Sequence, residues 1–193
     1  MVDLVSALNH DVVEASRLLL GCHLIRGNLR ARIVETEAYR ADEPACHAFR
    51  GQTERNAIMF GEPGRAYIYF SYGCHWMLNI VAHGPNDAAA ILVRAAQPLQ
   101  GLDEMRTRRP KAKREQDLLS GPGKLCAAFG IDRSDNGLDL LNPKSDLHLE
   151  LGQAPKSILK GERIGISQAQ DLLWRFADAE ALPYVSKPHR GLR

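Results

Sequence analysis

Hydrophobic and polar residues alternate along much of this chain, and this period of two predicts a protein built largely from short β-strands. Segment 23–39 is predicted to form two strands joined by a turn at Gly27-Asn28. The next strands should form a tight hairpin, because Tyr72-Gly73 separates two alternating runs. The remaining predicted strands are 65–71, 74–83, 88–96, LHLELG (147–152) and ILKGERIGIS (158–167).

Helical spacing is confined to short segments. DVVEASRLLLG (11–21) has apolar positions at helical intervals, with Asp11 as the expected N-cap and Gly21 as the expected C-cap. Shorter helices are expected from Thr53, in GLDEMRTRR (101–109) and after SGPGK (120–124). We therefore predict an α+β fold, with a curved, mostly antiparallel sheet, surrounding short helices and a protruding β-hairpin.

The composition is that of an ordinary globular protein, with 45% hydrophobic and 25% charged residues in 193 positions. We predict one domain over 1–193, because the length fits one domain and we find no internal repeat or long linker. No run approaches the ~20 apolar residues of a membrane span. The N-terminal segment carries early acids and no basic region, so we expect no signal peptide and a cytoplasmic protein.

The four cysteines favour neither a disulfide framework nor a metal site, because they are widely spaced and form no C-x-x-C pair. A cysteine precedes a histidine twice, at Cys46-His47 and at Cys74-His75. Adjacent residues of a strand point to opposite faces, so one ion rarely binds both. We therefore expect no metal.

Positive charge is concentrated in two segments, although the net charge is only +2. Segment 101–114 holds six Lys and Arg against two acids, and 187–193 holds three without an acid. Such a distribution favours a polyanionic partner. The alternative is a solvated basic loop at about 106–116 and a flexible tail at about 187–193.

The strand ARIVETEAYR (31–40) holds the candidate catalytic group. Simple alternation places Ile33, Glu35, Glu37 and Tyr39 on one face. One glutamate could be ion-paired by an arginine such as Arg94, while the other acts as a general base in a partly dry pocket. The alternative is a partly exposed strand with two surface glutamates.

YIYFSYGCHW (67–76) gathers aromatic residues around the predicted hairpin. Tyr67 and Tyr69 share one face, where either could form a wall of a slot for a planar ring opposite Tyr39, or could simply pack in the core. Tyr72 is predicted at the apex. It is either an exposed aromatic residue or a wedge of the kind that minor-groove proteins insert between base steps.

SGPGK (120–124) is a candidate phosphate site. Backbone amides at Gly121 and Gly123, with the cation of Lys124, would bind one phosphate of a nucleic-acid backbone. A plain helix-entry turn is the alternative. We find no G-x-S-x-G, H-E-x-x-H or zinc-deaminase pattern, so the remaining catalytic candidate is a carboxylate that activates water.

RIVETEAY, PGRAYIYFSYGCHWMLNIV, AAILVRAAQPLQGL and SGPGKLC occur in this order, and together they resemble the alkyladenine (3-methyladenine) DNA glycosylase family. The similarity extends from about residue 10 to about residue 185. It implies a monomeric, monofunctional base-excision repair enzyme without metal or cofactor. Such an enzyme flips a damaged purine out of double-stranded DNA and hydrolyses its N-glycosidic bond. The family's substrates include 3-methyladenine, 7-methylguanine, hypoxanthine and ethenoadenine.

The resemblance also implies a role for individual residues. Glu37 would be the general base that activates the attacking water, and Arg94 would help to position that water. The base pocket would comprise Tyr39, which stacks on the base, with Tyr69, His47 and Asn79, the last disfavouring normal guanine. Tyr72 would be the intercalating wedge.

Two features depart from the family pattern. Cys74 stands two residues after Tyr72, where a larger methionine is typical, so the environment of the gap differs. The segment between His47 and Arg55 is one residue shorter, so no DNA contact is carried over from 48–52.

Two other functions are compatible with parts of the pattern. A non-catalytic nucleic-acid binding module would use the aromatic residues and basic loops but would leave Glu37 without a role. A sugar glycosidase would use Glu35 and Glu37 as an acid–base pair, since residues two apart on a strand are roughly 6.5–7 Å apart. It has no use for the basic segments or for a tyrosine at a hairpin tip.

Overall fold

The structure, a computed structural model, describes residues 4–9, 11–71, 73–84, 87–189 and 191–193. Within these ranges eight strands form one curled antiparallel sheet, which confirms the predicted single-domain α+β fold. The strands are β1 His23–Arg26, β2 Leu29–Arg40, β3 Ala66–Ser71, β4 His75–Gly84, β5 Asp87–Gln100, β6 Leu147–Glu150, β7 Ile158–Gly161 and β8 Arg175–Asp178.

β2 is the central strand of the sheet. The strand order is β3-β4-β5-β2-β1-β6, and β7 is attached through β8. β5 pairs with β2 along nearly its whole length, while β1 pairs with Leu29–Arg32 and β8 with Glu35–Glu37. β2 therefore connects the hairpin strands to the C-terminal strands. β8 was not predicted, and of the predicted strand 158–167 only Ile158–Gly161 forms.

The helices are short and pack on the sheet. They are α1 Leu4–Leu8, α2 Val12–Leu18, α3 Leu102–Arg108 and α4 Pro122–Phe129, with a 3₁₀ turn at Ala57–Phe60 in the segment predicted to be helical from Thr53. Asp11 caps α2 as predicted, because its carboxylate accepts hydrogen bonds from the amides of Val13 and Glu14. α2 ends at Leu18, earlier than predicted. α1 was not predicted.

Simple alternation fails within β2. The pairing register with β5 shifts between Ile33 and Glu35, and again between Glu35 and Thr36. Ile33 and Ala38 both belong to the main hydrophobic cluster, so the parity of inward-facing residues changes between them. The prediction that Ile33 shares a face with Glu35, Glu37 and Tyr39 is therefore wrong. A β-bulge is the physical reason, since an extra residue reverses the alternation.

The described residues form three apolar clusters, and the sheet separates the two largest. The main cluster lies under α1, α2 and α4 and includes Leu8, Leu24, Ile91 and Phe129. A smaller cluster on the hairpin strands includes Cys46, Met59, Tyr67 and Val81. β5 contributes to both, because Ile91 faces the main cluster while Ala90 faces the smaller one. Met59, Tyr67 and Ala90 of the smaller cluster also line a cavity, which is described below.

The basic segment is only partly free of partners. Arg106 and Arg108 pair with Asp103 and Glu104 of α3, and Arg114 pairs with Asp117. The C-terminal tail, 187–193, is predicted to be flexible, but in its described part Arg193 is hydrogen-bonded to β7. The backbones of Arg193 and Lys160 exchange two hydrogen bonds of 3.0 Å, so this segment continues the pairing beside β7.

In the part of the chain that the structure describes, no helix has the length and apolar character needed to cross a membrane. All four cysteines are free thiols, three of them buried and Cys74 exposed. Burial raises the pKa of the Cys46 and Cys126 thiols to about 12. These two thiols are therefore not reactive nucleophiles at neutral pH.

Gly21 lies three residues after the end of α2 and packs closely against the backbone of Gln153. Its φ is +89°, and a Cβ there would lie 2.1 Å from the carbonyl oxygen of Gln153. Gly21→Ala should lower the free energy of unfolding by about 3 kcal/mol or more, through a strained φ and a backbone clash. Gly27→Ala is the matched control, because Gly27 also has a positive φ but nothing lies within 4 Å. Gly27→Ala should lower the free energy of unfolding by only about 1–2 kcal/mol. Urea unfolding measures both, and equal losses would contradict the predicted clash.

Candidate active site

A cavity of about 410 Å³ opens on the sheet face that carries the smaller cluster. Strands β2, β3, β4 and β5 form its base, and loops at 44–47 and 164–168 form its sides. This volume is in the range of small-molecule sites. The lining residues include Tyr39, Pro44, His47, Arg55, Tyr67, Tyr69, Met77, Asn79, Leu92, Arg94, Pro122 and Ile164–Gln168.

Glu37 is a fully buried carboxylate at the edge of this cavity. Its Oε2 accepts hydrogen bonds from the Tyr39 hydroxyl at 2.8 Å and from Nη1 of Arg94 at 3.2 Å. Its Oε1 accepts one from the Ile164 amide at 2.7 Å. All three donor residues line the cavity. A carboxylate oxygen can accept two hydrogen bonds, so among the described contacts Oε1 keeps one position for a further donor.

Glu35 is also fully buried, but its two oxygens are bonded to the protein. Oε1 lies 2.7 Å from Nε of Arg175 and 3.4 Å from Nε of Arg94, and Oε2 accepts the Ser186 amide at 2.8 Å. Protein donors thus occupy both oxygens of Glu35, and Glu35 does not line the cavity. The geometry therefore argues against the sugar-glycosidase alternative, which needs Glu35 as the partner acid.

Arg94 connects the two carboxylates. It is buried on β5 at a register shift, between Ala95, which pairs with Glu35, and Val93, which pairs with Thr36. Its guanidinium contacts both Glu35 and Glu37. Burial opposes its charge, whereas the neighbouring carboxylates of Glu37 and Glu35 favour it, with the net result that the pKa of Arg94 is raised. A permanent guanidinium therefore compensates the charge of Glu37 at the cavity wall.

The ring of Tyr39 forms one wall of the cavity. Burial, and then the adjacent Glu37 carboxylate, raise the pKa of Tyr39 well above its usual value, so the hydroxyl keeps its proton and donates to Glu37. The guanidinium carbon of Arg163 lies 4.7 Å from the centre of the ring. Tyr39 is thus fixed at its hydroxyl and on its face.

A cluster of aromatic rings also lines the cavity. His47 packs edge-on against Tyr69 at 4.6 Å, and its Nδ1 lies 2.8 Å from the Tyr67 hydroxyl. Burial, and then the nearby Arg55, lower the pKa of His47, so it is neutral at neutral pH. Burial raises the pKa of Tyr67 to about 12 and raises that of Tyr69. These rings therefore remain uncharged.

Asn79 lies at the base of the cavity. It is buried on β4, and its Nδ2 donates to the Tyr67 carbonyl at 3.1 Å. This bond fixes the orientation of the amide, because a carbonyl oxygen can only accept. The fixed amide presents a defined polar edge to whatever enters.

The SGPGK segment differs from the prediction at one position. The Gly121 amide is not free, because it donates to the Leu119 carbonyl at 2.9 Å, and so the prediction of an available amide there is wrong. Gly123 lies against the His75 ring, where a Cβ would approach to 2.7 Å. Lys124 is exposed, and its Nζ lies 3.2 Å from Oγ of Ser120. Burial and then the charge of Arg109 lower the pKa of Lys124, the carboxylate of Asp117 raises it, and Lys187 and Arg114 lower it further. We call Lys124 and these three neighbouring cations the basic surface at Lys124.

Comparison with known proteins identifies the family. The sequence model described as "Methylpurine-DNA glycosylase (MPG)" matches residues 6–181. A protein of Nitrosospira multiformis is 46% identical over 92% of this chain and 90% of its own length. A protein of Granulibacter bethesdensis is 48% identical over 89% of this chain and 81% of its own length. A protein of Carboxydothermus hydrogenoformans is 45% identical over 92% of this chain and 94% of its own length. Each is named "Putative 3-methyladenine DNA glycosylase".

The chain belongs to the methylpurine-DNA glycosylase family. It is therefore a monofunctional DNA repair glycosylase, which hydrolyses N-glycosidic bonds of DNA. This confirms the resemblance found in its motifs.

The glycosylase fold brings most of the predicted site residues to one cavity. Tyr39, His47, Tyr69, Asn79 and Arg94 line it, and Glu37 is bonded to its wall. Tyr72, the predicted wedge, lies outside the described residues. The flanking Ser71, which is the last residue of β3, lines the cavity.

Sequence reasoning missed the loop that follows β7. Ile164 bonds to Glu37, and Arg163 contacts Tyr39. The sequence pattern predicts one strand over 158–167, but the strand ends at Gly161. Gly165, with a φ of +80°, lies in the loop that follows. That glycine was the available signal, because a glycine within a strand pattern often marks a bend. Glu43, which pairs with Arg163, was also missed.

Glu35→Gln tests the structural importance of the second carboxylate in this glycosylase. The change leaves the Arg175 guanidinium without a compensating charge in a buried site and removes one of the two carboxylates that Arg94 contacts, so the free energy of unfolding should fall by about 3 kcal/mol. Glu14→Gln is the control, because Glu14 forms an exposed pair with Arg17 and should change stability by less than about 0.5 kcal/mol. Chemical denaturation measures both. A Glu35→Gln protein as stable as the parent would show that the pair does not stabilise the fold.

Proposed function

We propose that the cavity receives a damaged purine flipped out of duplex DNA, and that Glu37 activates the water that hydrolyses its N-glycosidic bond. The observation that carries this proposal is the hydrogen bonding of Glu37. Three donors hold the carboxylate at the wall of an aromatic cavity, and one acceptor position of Oε1 remains for a water molecule.

The chemistry requires only the carboxylate and the substrate. The water oxygen attacks C1′ as the C1′–N bond breaks, and the bonding electron pair leaves with the base. Glu37 accepts the proton of the water, and its negative charge stabilises the oxocarbenium-like sugar. Arg94 lies on the other oxygen of Glu37 and helps to position the water. A cationic base leaves as a neutral molecule, whereas a neutral base leaves as an anion and takes up a proton from solvent. The other product is an abasic site.

The ring walls account for the class of base. A purine in the cavity would stack on Tyr39, with Tyr69 and His47 completing the pocket. Alkylated purines such as 3-methyladenine and 7-methylguanine carry positive charge, which weakens their glycosidic bonds and attracts them to electron-rich rings. Hypoxanthine and ethenoadenine belong to the same proposed range. Such lesions pair badly, so they also cost less to flip.

Asn79 supports rejection of normal guanine. Its amide is fixed by the Tyr67 carbonyl at the base of the cavity, and it cannot rotate freely to accommodate the exocyclic amino group. An unmatched polar contact in a buried site is costly, so normal guanine is disfavoured. In 7-methylguanine, which carries the same amino group, the weakened glycosidic bond and the positive charge offset this cost.

The proposed DNA contacts surround the cavity. Tyr72 would occupy the gap left by the flipped nucleotide, and the exposed thiol of Cys74 lies near it in the chain. The basic surface at Lys124, with Gly123 in the first turn of α4, would bind the backbone of the damaged strand. We propose that the enzyme acts as a monomer on chromosomal DNA in the cytoplasm.

Glu37→Gln is the decisive test of this function. The amide keeps the volume of the side chain but cannot accept the proton of water, so base release should fall roughly a thousandfold while duplex affinity is retained. Released bases are quantified from alkylated and deaminated duplexes, and affinity is measured by fluorescence anisotropy. Glu62→Gln, an exposed change, is the control. If base release is undiminished, Glu37 does not have its proposed role, and another residue must act as the general base.

Tyr72→Ala tests the wedge. Without the ring, the vacated space in the duplex is unfilled, so capture of a damaged base should weaken by about tenfold or more for duplex substrates. Release from a base that is already unpaired in single-stranded DNA should change much less, because no gap has to be filled. Single-turnover rates on both substrates give the comparison. Equal losses would show that Tyr72 does not act as a wedge.

A further inference from the structure

A buried cation lies beneath the ring on which the base would stack. Arg163 is fully buried as a side chain, and its guanidinium carbon is 4.7 Å from the centre of Tyr39 and 5.4 Å from that of Trp174. Tyr39 lines the cavity, whereas Arg163 is buried behind it. The guanidinium therefore covers the side of the ring that faces away from the cavity.

This cation has a matched counter-ion in Glu43. Nη1 of Arg163 donates to Oε1 at 2.6 Å, and Nη2 donates to Oε2 at 3.0 Å. Glu43 is itself buried, and its Oε2 also accepts the Ala45 amide at 2.8 Å. Arg163 further donates to the Ala38 carbonyl at 2.9 Å. The pair thus connects β2 and the loop at 44–47 beneath one side of the cavity.

A bare cation at this place would oppose binding of a cationic base. Attraction between a positive base and the face of an aromatic ring is electrostatic, so a second cation on the opposite face weakens it. An uncharged base lacks this repulsion. The bidentate carboxylate cancels most of the field of the guanidinium, since the two charges are in direct contact.

We propose that the Arg163–Glu43 pair is a positioning and specificity-determining element, which keeps the site beneath Tyr39 electrically neutral and so permits cationic damaged bases to be bound and released. Arg163 supports the Tyr39 ring rigidly, and Glu43 compensates the positive charge of Arg163. The inference rests on the proposed stacking of the base on Tyr39, and it deepens the proposed function by assigning the choice between cationic and neutral bases.

The size of the effect follows from distance. A base stacked about 3.5 Å beyond the ring would lie roughly 8 Å from the guanidinium carbon. At that separation a single uncompensated charge changes the stability of a charged ligand by a factor of about ten to thirty, for an effective dielectric constant near 20.

The test uses the full chain as the parent, Glu43→Gln, Arg163→Gln and the double variant. Single-turnover release is measured from duplexes with 7-methylguanine, which is cationic, and with whichever neutral base, hypoxanthine or ethenoadenine, the parent releases faster. The quantity compared is the ratio of the cationic to the neutral rate. Each ratio comes from one protein sample, so partial unfolding affects both rates and cancels.

The expected ratios have a definite order. Glu43→Gln leaves a positive charge, so its ratio should fall about tenfold below the parent. Arg163→Gln leaves a negative charge, so its ratio should rise above the parent. The double variant is neutral again, and its ratio should return to within about threefold of the parent, as a double-mutant cycle for a charge pair requires. Asp178→Asn is the matched control, because it alters the Arg32–Asp178 ion pair, whose two residues do not line this cavity, and its ratio should not change.

Three outcomes would overturn the inference. The ratio could stay constant while both rates fall together, which would show that the pair has only a structural role. The two single variants could shift the ratio in the same direction, which is incompatible with opposite charges. Finally, absence of release of any damaged base by the parent would refute the proposed function itself, and this result is distinct from an active enzyme whose ratio is insensitive to the pair.

Discussion

The site depends on one constraint, which is that two carboxylates of the same strand are buried without exposure to solvent. An isolated buried carboxylate would cost several kcal/mol or would take up a proton. Here Arg94 contacts both Glu35 and Glu37, and Arg175 binds Glu35. The arginines come from β5 and β8, so the strands must assemble around β2 for the charges to be satisfied. Assembly of the sheet and formation of the candidate catalytic group are therefore the same event.

The irregular pairing of β2 makes this arrangement possible. The register shifts at Glu35 leave Ile33 and Ala38 in the main hydrophobic cluster while Glu37 and Tyr39 are directed to the cavity. A regular strand would place Ile33 on the same face as the carboxylates. β-bulges are frequent next to active sites because they redirect side chains without interrupting the sheet. Here the bulge reverses the alternation, so that Ile33 before it and Ala38 after it both face the core, while Glu37 and Tyr39 face the cavity.

Specific polar contacts also explain how several aromatic rings can lie beside buried polar groups. The hydroxyl of Tyr39 donates to Glu37, that of Tyr67 lies beside Nδ1 of His47, and the face of Tyr39 lies over Arg163. Each ring thus has an apolar face for a flat ligand and a fixed polar contact that prevents rotation. A preorganised pocket of this kind avoids the cost of ordering its side chains when the substrate binds. The Arg163–Glu43 pair extends the same principle to the layer behind the wall.

The sequence by itself determined the features that depend on neighbours in the chain. Alternation and turn residues predicted β1, β2 and the β3–β4 hairpin, and the motifs around Glu37 and Tyr39 identified the family and the chemistry. Tertiary structure alone decided which partners hold those groups. Arg175 is 140 residues from Glu35, Ile164 is 127 from Glu37, and Arg163 is 120 from Glu43. No local pattern encodes these contacts, because they exist only after the sheet has curled and brought the loop after β7 against β2.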